Sequence, residues 1–268
     1  MPELPEVETV VRGIRPDLLN ARIRGADVFW HRTLEGTPLD LFQQVISTRT
    51  VRDVTRRGKY IIIVLDQHYL VVHLRMTGRL YFSDKPEGDD AWVRFGLHLD
   101  HNRYLVFSDS RKFGRVQYCE NLDFLEEKLG PEPLDLSPMQ IAEILRGSKR
   151  AIKPFLLDQK KIAGIGNIYA DESLFRAGVD PRRPVDRLTK AERLRLGEII
   201  PEILRAAIRH EGASISWYRK PDGTQGESQL HFSVYGRGGE PCVTCGTTIS
   251  KIVLGQRGTH FCPKCQKR

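Results

Sequence analysis

The amino-acid sequence predicts an α+β fold, and three observations lead to that prediction. Residues 3–19 carry apolar side chains at helical spacing, and residues 21–120 are mostly strand-like. Helical patterns return between residues 137 and 210, and four of the five cysteines lie close to the C-terminus. We therefore expect an N-terminal β-sandwich, or alternatively a barrel, with flanking helices, a helical domain and a β-hairpin zinc ribbon. The predicted domain boundaries are 1–130, 131–230 and 231–268.

The first helix is predicted to bury an acidic residue. Apolar residues recur at helical spacing from Leu4 to Leu18, which indicates an amphipathic helix. Glu3 shares a helix face with Val7 and Ile14. Its side chain is therefore expected to point along the buried stripe rather than into water.

Pro2 would become a nucleophile if Met1 is removed, which a small second residue favours. An α-amino group has a pKa of about 7.7–8, so a useful fraction is unprotonated near neutral pH. A secondary amine that attacks a sugar C1′ gives an iminium ion, the electron sink that Schiff-base chemistry needs. The alternative is that Pro2, Glu3 and Pro5 only start a helix, because proline suits the first turn and acids suit its dipole.

The strand-like region predicts two hairpins. Residues 60–65 and 70–74 are β-rich runs around Asp66-Gln67-His68, and residues 93–99 and 104–107 form a similar pair. Lys59 enters the first of these strands after Arg57-Gly58 and is either a solvated strand end or an active-site cation.

Two loops of this region place an apolar residue beside an arginine. Met76 follows Arg75, and Phe113 follows Arg111-Lys112. Met76 and Phe113 are interpreted either as core residues or as wedges, because arginine next to an apolar side chain is typical of proteins that enter a base stack.

The helical region has four predicted helices and two irregular stretches. Three of the helices cover residues 137–146, 153–161 and 189–210, after a linker around residues 121–136. Gly164 and Gly166 precede a further helix that begins near Asn167, which indicates either a phosphate-binding turn or an ordinary helix corner. Residues 211–229 are polar and glycine-containing, which fits a mobile loop or a disordered connector.

The cysteine spacing predicts a metal site. Cys242, Cys245, Cys262 and Cys265 form the pattern C-x2-C-x16-C-x2-C, which suits four thiolate ligands of one tetrahedral Zn²⁺. Four protein ligands leave no open coordination position, so we expect a structural role. Arg257 lies at the tip of the hairpin between the two pairs and is either a phosphate ligand or an exposed turn residue. Cys119 stands alone and is expected to be a buried thiol.

Charge and hydropathy limit the class of partner. The net charge of +8 favours an acidic partner such as nucleic acid. Residues 230–268 carry six lysines and arginines against Glu240 alone, and a second basic cluster covers residues 146–161; either could also be a solvated face. No apolar run approaches transmembrane length, so we expect a soluble, intracellular protein with no membrane partner.

Six motifs together resemble one family over the whole chain. They are Pro2-Glu3-Leu4-Pro5-Glu6, Arg57-Gly58-Lys59, His73-Leu74-Arg75-Met76, Arg111-Lys112-Phe113-Gly114, Gly164-Ile165-Gly166-Asn167 and the zinc hairpin with Gln256-Arg257-Gly258-Thr259. In this order they are similar to the bacterial formamidopyrimidine-DNA glycosylases, which share a superfamily with endonuclease VIII. Leu4 points to the purine-directed branch, since the sister group typically has glycine there.

The resemblance implies catalytic roles for four residues. Pro2 would attack C1′ and expel the damaged base, and Glu3 would protonate the sugar as its ring opens. Lys59 would contact phosphate and assist β-elimination, and Arg257 would bind phosphate and assist δ-elimination. The implied protein is a base-excision-repair DNA glycosylase with AP lyase activity. It would excise 8-oxoguanine and formamidopyrimidines through a Schiff base on the N-terminal proline.

The resemblance also implies double-stranded DNA with an oxidised purine or abasic site as the partner. The target nucleotide must leave the stack. Met76, Arg111 and Phe113 would fill the vacated space, with Arg111 reading the opposite cytosine. Further DNA contacts are implied for His73, Lys149, Lys153, Asn167, Tyr235, Lys251 and Arg257.

Two further segments acquire implied roles. The Gly164–Asn167 turn would belong to a helix-two-turn-helix element, and the loop at residues 211–229 would close over the extruded base.

Two departures from the family pattern concern the neighbouring strands. Trp92 stands where the family often has histidine, and Ser110 stands where many members have proline. The first puts a phosphate contact in doubt, and the second could loosen the Arg111 loop.

Three hypotheses remain open at this point. The first is the purine-specific glycosylase and lyase, which we expect to be a monomer in the bacterial cytoplasm, associated with the nucleoid through DNA. The second is an endonuclease VIII-like enzyme for oxidised pyrimidines. The third is a non-catalytic zinc-ribbon protein that binds DNA, which would require Pro2 and Glu3 to be idle.

Overall fold

The computed structural model describes every residue from Met1 to Arg268. Contacts within the chain define two units. The first unit consists of Met1–Glu127 and His210–Glu227, and the second consists of Lys128–Arg209 and Ser228–Arg268. The stretch after the longest helix therefore folds with the N-terminal part of the chain. The three domain boundaries drawn from the sequence stay a prediction.

Helix α1 spans Leu4–Leu18 and opens the first unit, as the apolar spacing predicted. Glu3 is its N-cap residue and Pro5 lies in its first turn, where proline costs no hydrogen bond. Val7, Val10 and Ile14 are buried on one face, and that face packs against strand β3, Val51–Arg57.

Two sheets pack around a shared hydrophobic core. The remaining strands are β1 Ile23–Val28, β2 Leu34–Glu35, β4 Tyr60–Leu65, β5 Tyr69–His73, β6 Arg79–Ser83, β7 Val93–Leu99, β8 Tyr104–Ser108 and β9 Arg115–Cys119. One sheet has the order β1-β7-β8-β6, and the other has the order β2-β9-β5-β4-β3. Ile61, Phe95 and Phe107 contribute to one buried cluster from both sheets, so the β-sandwich is confirmed.

Both predicted hairpins are confirmed, but two helices of this part of the chain were missed. β4 pairs with β5, and β7 pairs with β8, in antiparallel register. Helix α2, Leu39–Ile46, lies within the region predicted as strand-like and buries Phe42 and Ile46. Helix α3, Asp123–Lys128, occupies part of the predicted linker because Leu125 finds a buried position.

The second unit is mainly helical and ends in a two-stranded sheet. Its elements are α4 Pro138–Ile144, α5 Ile152–Leu156, α6 Asn167–Ala177, α7 Lys190–Arg209, β10 Ser250–Leu254 and β11 Arg257–Phe261. Helices α4 and α6 pack on α7, and α6 packs on β11. None of the helices in the protein is both long and apolar enough to span a membrane.

The helix predicted over residues 153–161 was wrong in its extent. Helix α5 ends at Leu156, and the chain then turns. The Asp158 carboxylate accepts a hydrogen bond from the Lys160 N–H at 3.1 Å, and the Gln159 side chain donates to the Ile165 carbonyl at 2.8 Å. These side chains bond to backbone groups that would otherwise pair within a continuing helix, and so helix α5 ends.

Candidate active site

Pro2 and Glu3 are both buried at the start of α1. The Glu3 backbone N–H donates to Glu6 Oε2 at 2.8 Å, and the two acids form a capping box. The Glu3 residue is only 3 % exposed, as the sequence predicted. The capping box fixes the direction in which the chain enters the helix, and with it the position of Pro2.

Glu6 also holds the segment after α7. Its Oε1 accepts a hydrogen bond from the Ala213 N–H at 2.8 Å, and Gly212 has φ +78°, with no room for a side chain against Glu6. Tyr218 of the same segment is buried in the sandwich core, and burial, followed by the charge of Glu6, raises the pKa of its hydroxyl. Sequence reasoning missed this role of Glu6, although its capping-box spacing after Glu3 was a signal.

Lys59 is buried rather than a solvated strand end. It follows Gly58, whose φ of +58° gives the tight turn between β3 and β4. Arg56 braces this turn, since its guanidinium donates to the Gly58 carbonyl at 3.0 Å and to Glu8 of α1 at 3.1 Å. The helix that follows Pro2 and the turn that carries Lys59 are therefore joined by an ion pair.

His73 is a neutral hydrogen-bond donor. Burial, together with the charges of Arg75 and Lys59, lowers the pKa of its imidazole to about 3. Its Nδ1 accepts a hydrogen bond from the Arg75 N–H at 3.0 Å, so the proton of the neutral ring lies on Nε2. The Tyr60 ring packs edge-on against it, with 4.5 Å between the ring centroids. His73 can thus donate one hydrogen bond to an acceptor without carrying charge.

Met76 and Phe113 lie in loops that share one buried carboxylate. Asp109 accepts hydrogen bonds from Thr77 Oγ1, from the Arg111 N–H at 3.2 Å and from the Gly114 N–H at 2.7 Å. Both apolar side chains are exposed, 37 % for Met76 and 47 % for Phe113, and so neither is a core residue.

Arg111 is oriented by the same loop. Its guanidinium lies 4.9 Å from the centroid of the Phe113 ring, so the two side chains form a cation–π pair. Asp109 was a residue that sequence reasoning did not single out. An acid two residues before an exposed arginine in a glycine-ended loop was the available signal.

A cavity of about 350 Å³ lies beside these loops within the first unit. Thr77, Arg79, Trp92 and Ser110 line one part, and Trp217 lines another. The Trp92 and Trp217 rings meet edge-to-face, with 6.3 Å between their centroids. Trp92 therefore contacts the segment after α7, and Ser110 also faces this cavity.

In the second unit, several predicted site residues converge on the hairpin of β10 and β11. Gly255 and Gln256 both have positive φ, which suits a tight two-residue hairpin turn next to Arg257. Asn167 donates from Nδ2 to the Gly258 carbonyl at 3.0 Å. Lys251 and Arg257 are exposed, as is Lys149 on its separate loop.

Tyr235 is held from two sides. Its backbone N–H donates to Glu172 Oε1 at 2.8 Å, and Glu172 also accepts from the N–H groups of Ser233 and Val234. Its ring packs against His260, with 5.3 Å between the centroids. Burial raises the pKa of the Glu172 carboxyl, whereas the three N–H donors favour its ionised form.

Lys153 lies away from the surface. Its side chain is fully buried, and its ammonium donates to the Gly258 carbonyl at 2.8 Å and to Thr259 Oγ1 at 2.9 Å. Asp171 Oδ1 lies 2.7 Å from the same nitrogen. The ammonium of this residue thus points at the zinc hairpin.

The four cysteines fit one tetrahedral zinc ion. Their Sγ atoms all lie within 4.8 Å of one another. Cys242 and Cys265 are 3.9 Å apart at sulfur, and Cys245 and Cys262 are 3.5 Å apart. A Zn–S bond of about 2.3 Å gives a tetrahedron edge of about 3.8 Å, close to both separations. The site is closed on all four sides by thiolates, so a zinc ion here has a structural role.

Comparisons with known proteins agree with this geometry. Three family models match: the formamidopyrimidine-DNA glycosylase N-terminal domain at residues 1–116, its H2TH domain at 129–219, and a zinc finger found in FPG and IleRS at 239–268. The formamidopyrimidine-DNA glycosylase of Chloroflexus aurantiacus is 44 % identical over 99 % of this chain and 98 % of its own length. That of Streptococcus pneumoniae is 41 % identical over all of both chains.

Solved structures give the same result. A Lactococcus lactis FPG mutant in complex with Fapy-dG-containing DNA has a TM-score of 0.93 and 35 % identity, over 100 % of each chain. The complex of Lactococcus lactis Fpg with DNA that contains an abasic site has a TM-score of 0.92 and 35 % identity. It covers 99 % of this chain and 100 % of that one.

Proposed function

Because the chain belongs to the formamidopyrimidine-DNA glycosylase family, we propose that it excises oxidised purines from duplex DNA and then cleaves the strand as an AP lyase. The main support for this function is that Pro2 and Glu3 are both buried at the capped start of α1. The Lactococcus lactis proteins are bound to Fapy-dG-containing DNA and to abasic-site DNA, which supports oxidised purines as the substrate class.

The proposed chemistry begins at Pro2 after Met1 is removed. The secondary amine attacks C1′, the C1′–N bond to the damaged base breaks, and the base leaves with a proton. Glu3 gives a proton to the ring oxygen as the C1′–O4′ bond opens, which leaves an iminium ion between Pro2 and the sugar. Loss of a C2′ proton then expels the 3′ phosphate, and loss of the C4′ proton expels the 5′ phosphate.

Cations stabilise the charges that develop on the phosphates. Lys59, at the turn joined to α1, would bind the phosphate that leaves in β-elimination. Arg257, at the hairpin tip, would bind phosphate and assist δ-elimination. The neutral Nε2–H of His73 would donate to a flanking phosphate oxygen, so this contact does not depend on protonation at neutral pH.

The DNA contacts divide between the two units. Met76 and Phe113 would enter the stack that the extruded nucleotide leaves, and Arg111 would bind the opposite cytosine. In the second unit, Asn167, Tyr235 and Lys251 would hold phosphates, with Lys149 as a further cation. The structural zinc keeps the hairpin folded when bound. Because the substrate is chromosomal DNA and the relatives are bacterial, we also propose a cytoplasmic location.

The test compares two damaged duplexes under single-turnover conditions. We expect excision of 8-oxoguanine opposite cytosine to exceed that of thymine glycol by about tenfold or more, with strand ends that carry phosphate on both sides. Faster release of thymine glycol would favour the endonuclease VIII-like alternative. Glu3→Gln should bind the same duplex but not excise, and normal excision by this variant would contradict the acid assignment.

A further inference from the structure

The outer edge of β11 is covered by side chains of two helices. β11 pairs with β10 on one side only. On the other side, the Gly258 carbonyl accepts from Lys153 Nζ and Asn167 Nδ2, at 2.8 and 3.0 Å. The His260 N–H donates to Asp171 Oδ2 at 2.9 Å. Backbone groups of an edge strand need partners when they are buried, and here helices α5 and α6 supply them.

Asp171 and Lys153 form a fully buried ion pair that is directed at this strand. Neither side chain is exposed, and 2.7 Å separates Lys153 Nζ from Asp171 Oδ1. The ammonium also donates to Thr259 Oγ1 at 2.9 Å. The pair therefore contacts the three residues that follow the hairpin tip. Buried charges persist only with close partners, so these contacts are strongly coupled.

The next residue of α6 extends the same arrangement. Glu172 accepts three backbone N–H groups from residues 233–235, and Tyr235 then packs its ring on His260. One helix thus holds both the segment of Tyr235 and the strand of His260 through two consecutive carboxylates.

We propose that Asp171 is a positioning residue for Arg257, and that it acts through Lys153 and the backbone of residues 258–260. Oδ1 of Asp171 neutralises the buried ammonium of Lys153, and Oδ2 accepts a hydrogen bond from the His260 N–H. The role of Lys153 is then to orient the hairpin tip from inside the second unit. The catalytic consequence rests on the proposed function, because it assumes that Arg257 assists δ-elimination.

The test separates positioning from stability. Replacing a buried ion pair by apolar side chains of similar size is often neutral for stability. The double variant Lys153→Met/Asp171→Leu should therefore fold and keep one zinc per chain, with a modestly lower thermal midpoint because the His260 N–H loses its acceptor. On an abasic duplex we expect the ratio of δ- to β-elimination products to fall by about tenfold. One well-oriented hydrogen bond to a charged group can account for a change of this size. A retained product ratio would overturn the proposal.

A matched control uses another ion pair of α6. Arg176 and Glu202 are 2.5 Å apart and about half exposed, and they pair α6 with α7. Arg176→Gln/Glu202→Gln should leave the product ratio unchanged, because exposed pairs of this kind contribute little.

A second readout does not depend on catalysis. Amide hydrogen exchange of residues 256–260 should become about tenfold faster in the double variant and stay unchanged in the control. Unchanged exchange in the double variant would overturn the proposal even if the wild type shows no lyase activity. Faster exchange with no wild-type strand cleavage would instead contradict the proposed function and keep the positioning role. Asp171→Glu, which keeps the charge beside Lys153 but displaces the carboxylate, should show the same direction if the double variant does not fold.

Discussion

The first unit holds its proposed catalytic groups against a large apolar core, whereas the zinc ribbon holds Arg257 with very little core. Val7, Val10 and Ile14 of α1 belong to the buried cluster that fills the sandwich. The cluster of the ribbon contains only Val234, Ile249 and two of the zinc cysteines as buried members. Small modules commonly replace a core by a metal.

The zinc ribbon shows how charged groups can be fixed without apolar packing. In the first unit, the capping box of Glu3 and Glu6 sits on a helix that the core already orients. In the ribbon, orientation comes from four thiolates and from the Lys153–Asp171 pair. Loss of metal or of a buried charge should therefore affect the second unit far more than the first.

The strongest loss is expected when the secondary amine of Pro2 is replaced by the primary amine of glycine. Pro2→Gly should lower formation of cleaved product by about a thousandfold or more, because the nucleophile carries both chemical steps. DNA affinity should stay within about threefold of the wild type, because phosphate contacts are intact. Single-turnover kinetics and a binding titration measure both. Pro5→Ala, which alters the same first turn but not the terminal amine, is the control and should retain activity.

The next effect concerns the zinc ribbon. Cys262→Ser should lose the metal and lower DNA affinity by about a hundredfold, since the hairpin with Lys251 and Arg257 would no longer be held. Metal analysis and binding titration provide the measurements. Cys119→Ser changes a half-buried thiol of β9 in the first unit, so its zinc content and affinity should match the wild type.

The same loss should leave the first unit folded. All three tryptophans, Trp30, Trp92 and Trp217, belong to that unit. Their fluorescence spectrum should therefore be unchanged in Cys262→Ser. A shift of the spectrum as large as that on full unfolding would contradict the contrast between the two units.

The third effect is the loss of Glu6. Glu6→Ala should lower the free energy of unfolding by about 2–6 kcal/mol, because the N–H groups of Glu3 and Ala213 would lose a buried acceptor. Chemical denaturation followed by tryptophan fluorescence measures it. Glu126→Ala, which removes an exposed partner of Arg57, should cost less than about 1 kcal/mol. Equal costs for the two variants would show that Glu6 is not a buried anchor.

The smallest effect is a pH dependence at His73. Its pKa is lowered to about 3 in the folded state, whereas a free histidine titrates near 6.5. Below pH 6.5 the unfolded state binds a proton that the folded state does not. The free energy of unfolding therefore decreases as the pH is lowered from about 6.5 to about 3. The cost of this one group at pH 5 is about 2 kcal/mol. His73→Gln should remove that part of the pH dependence between pH 7 and 5, and an unchanged slope would contradict it.

Local patterns in the sequence predicted much of the fold. The apolar spacing from Leu4 to Leu18 and the β-rich runs at β4 and β5 determine their own structure, because the helix buries one face and each strand is a short, nearly continuous buried run. The cysteine spacing was sufficient for the zinc site, because the ligand pairs are local and the geometry of the ion is fixed.

Contacts between distant residues could not be predicted in this way. The hydrogen bond from Ala213 to Glu6 joins residues 207 positions apart, and Lys153 reaches Gly258 over 105 positions. From the sequence, Lys153 was one cation in a basic cluster, whereas its burial depends on the partner that α6 provides. Helix α2 was missed because a short apolar run in a strand-rich region does not distinguish helix from strand.

Borohydride trapping on a duplex with 8-oxoguanine opposite cytosine tests whether Pro2 is the nucleophile. Reduction of the iminium ion should give a covalent adduct, and peptide mapping should place it on Pro2 of a chain that lacks Met1. That result would establish amine catalysis and lesion recognition in one experiment. Tight binding without any adduct, or an adduct on a lysine such as Lys59, would contradict the role given to the first residues of α1.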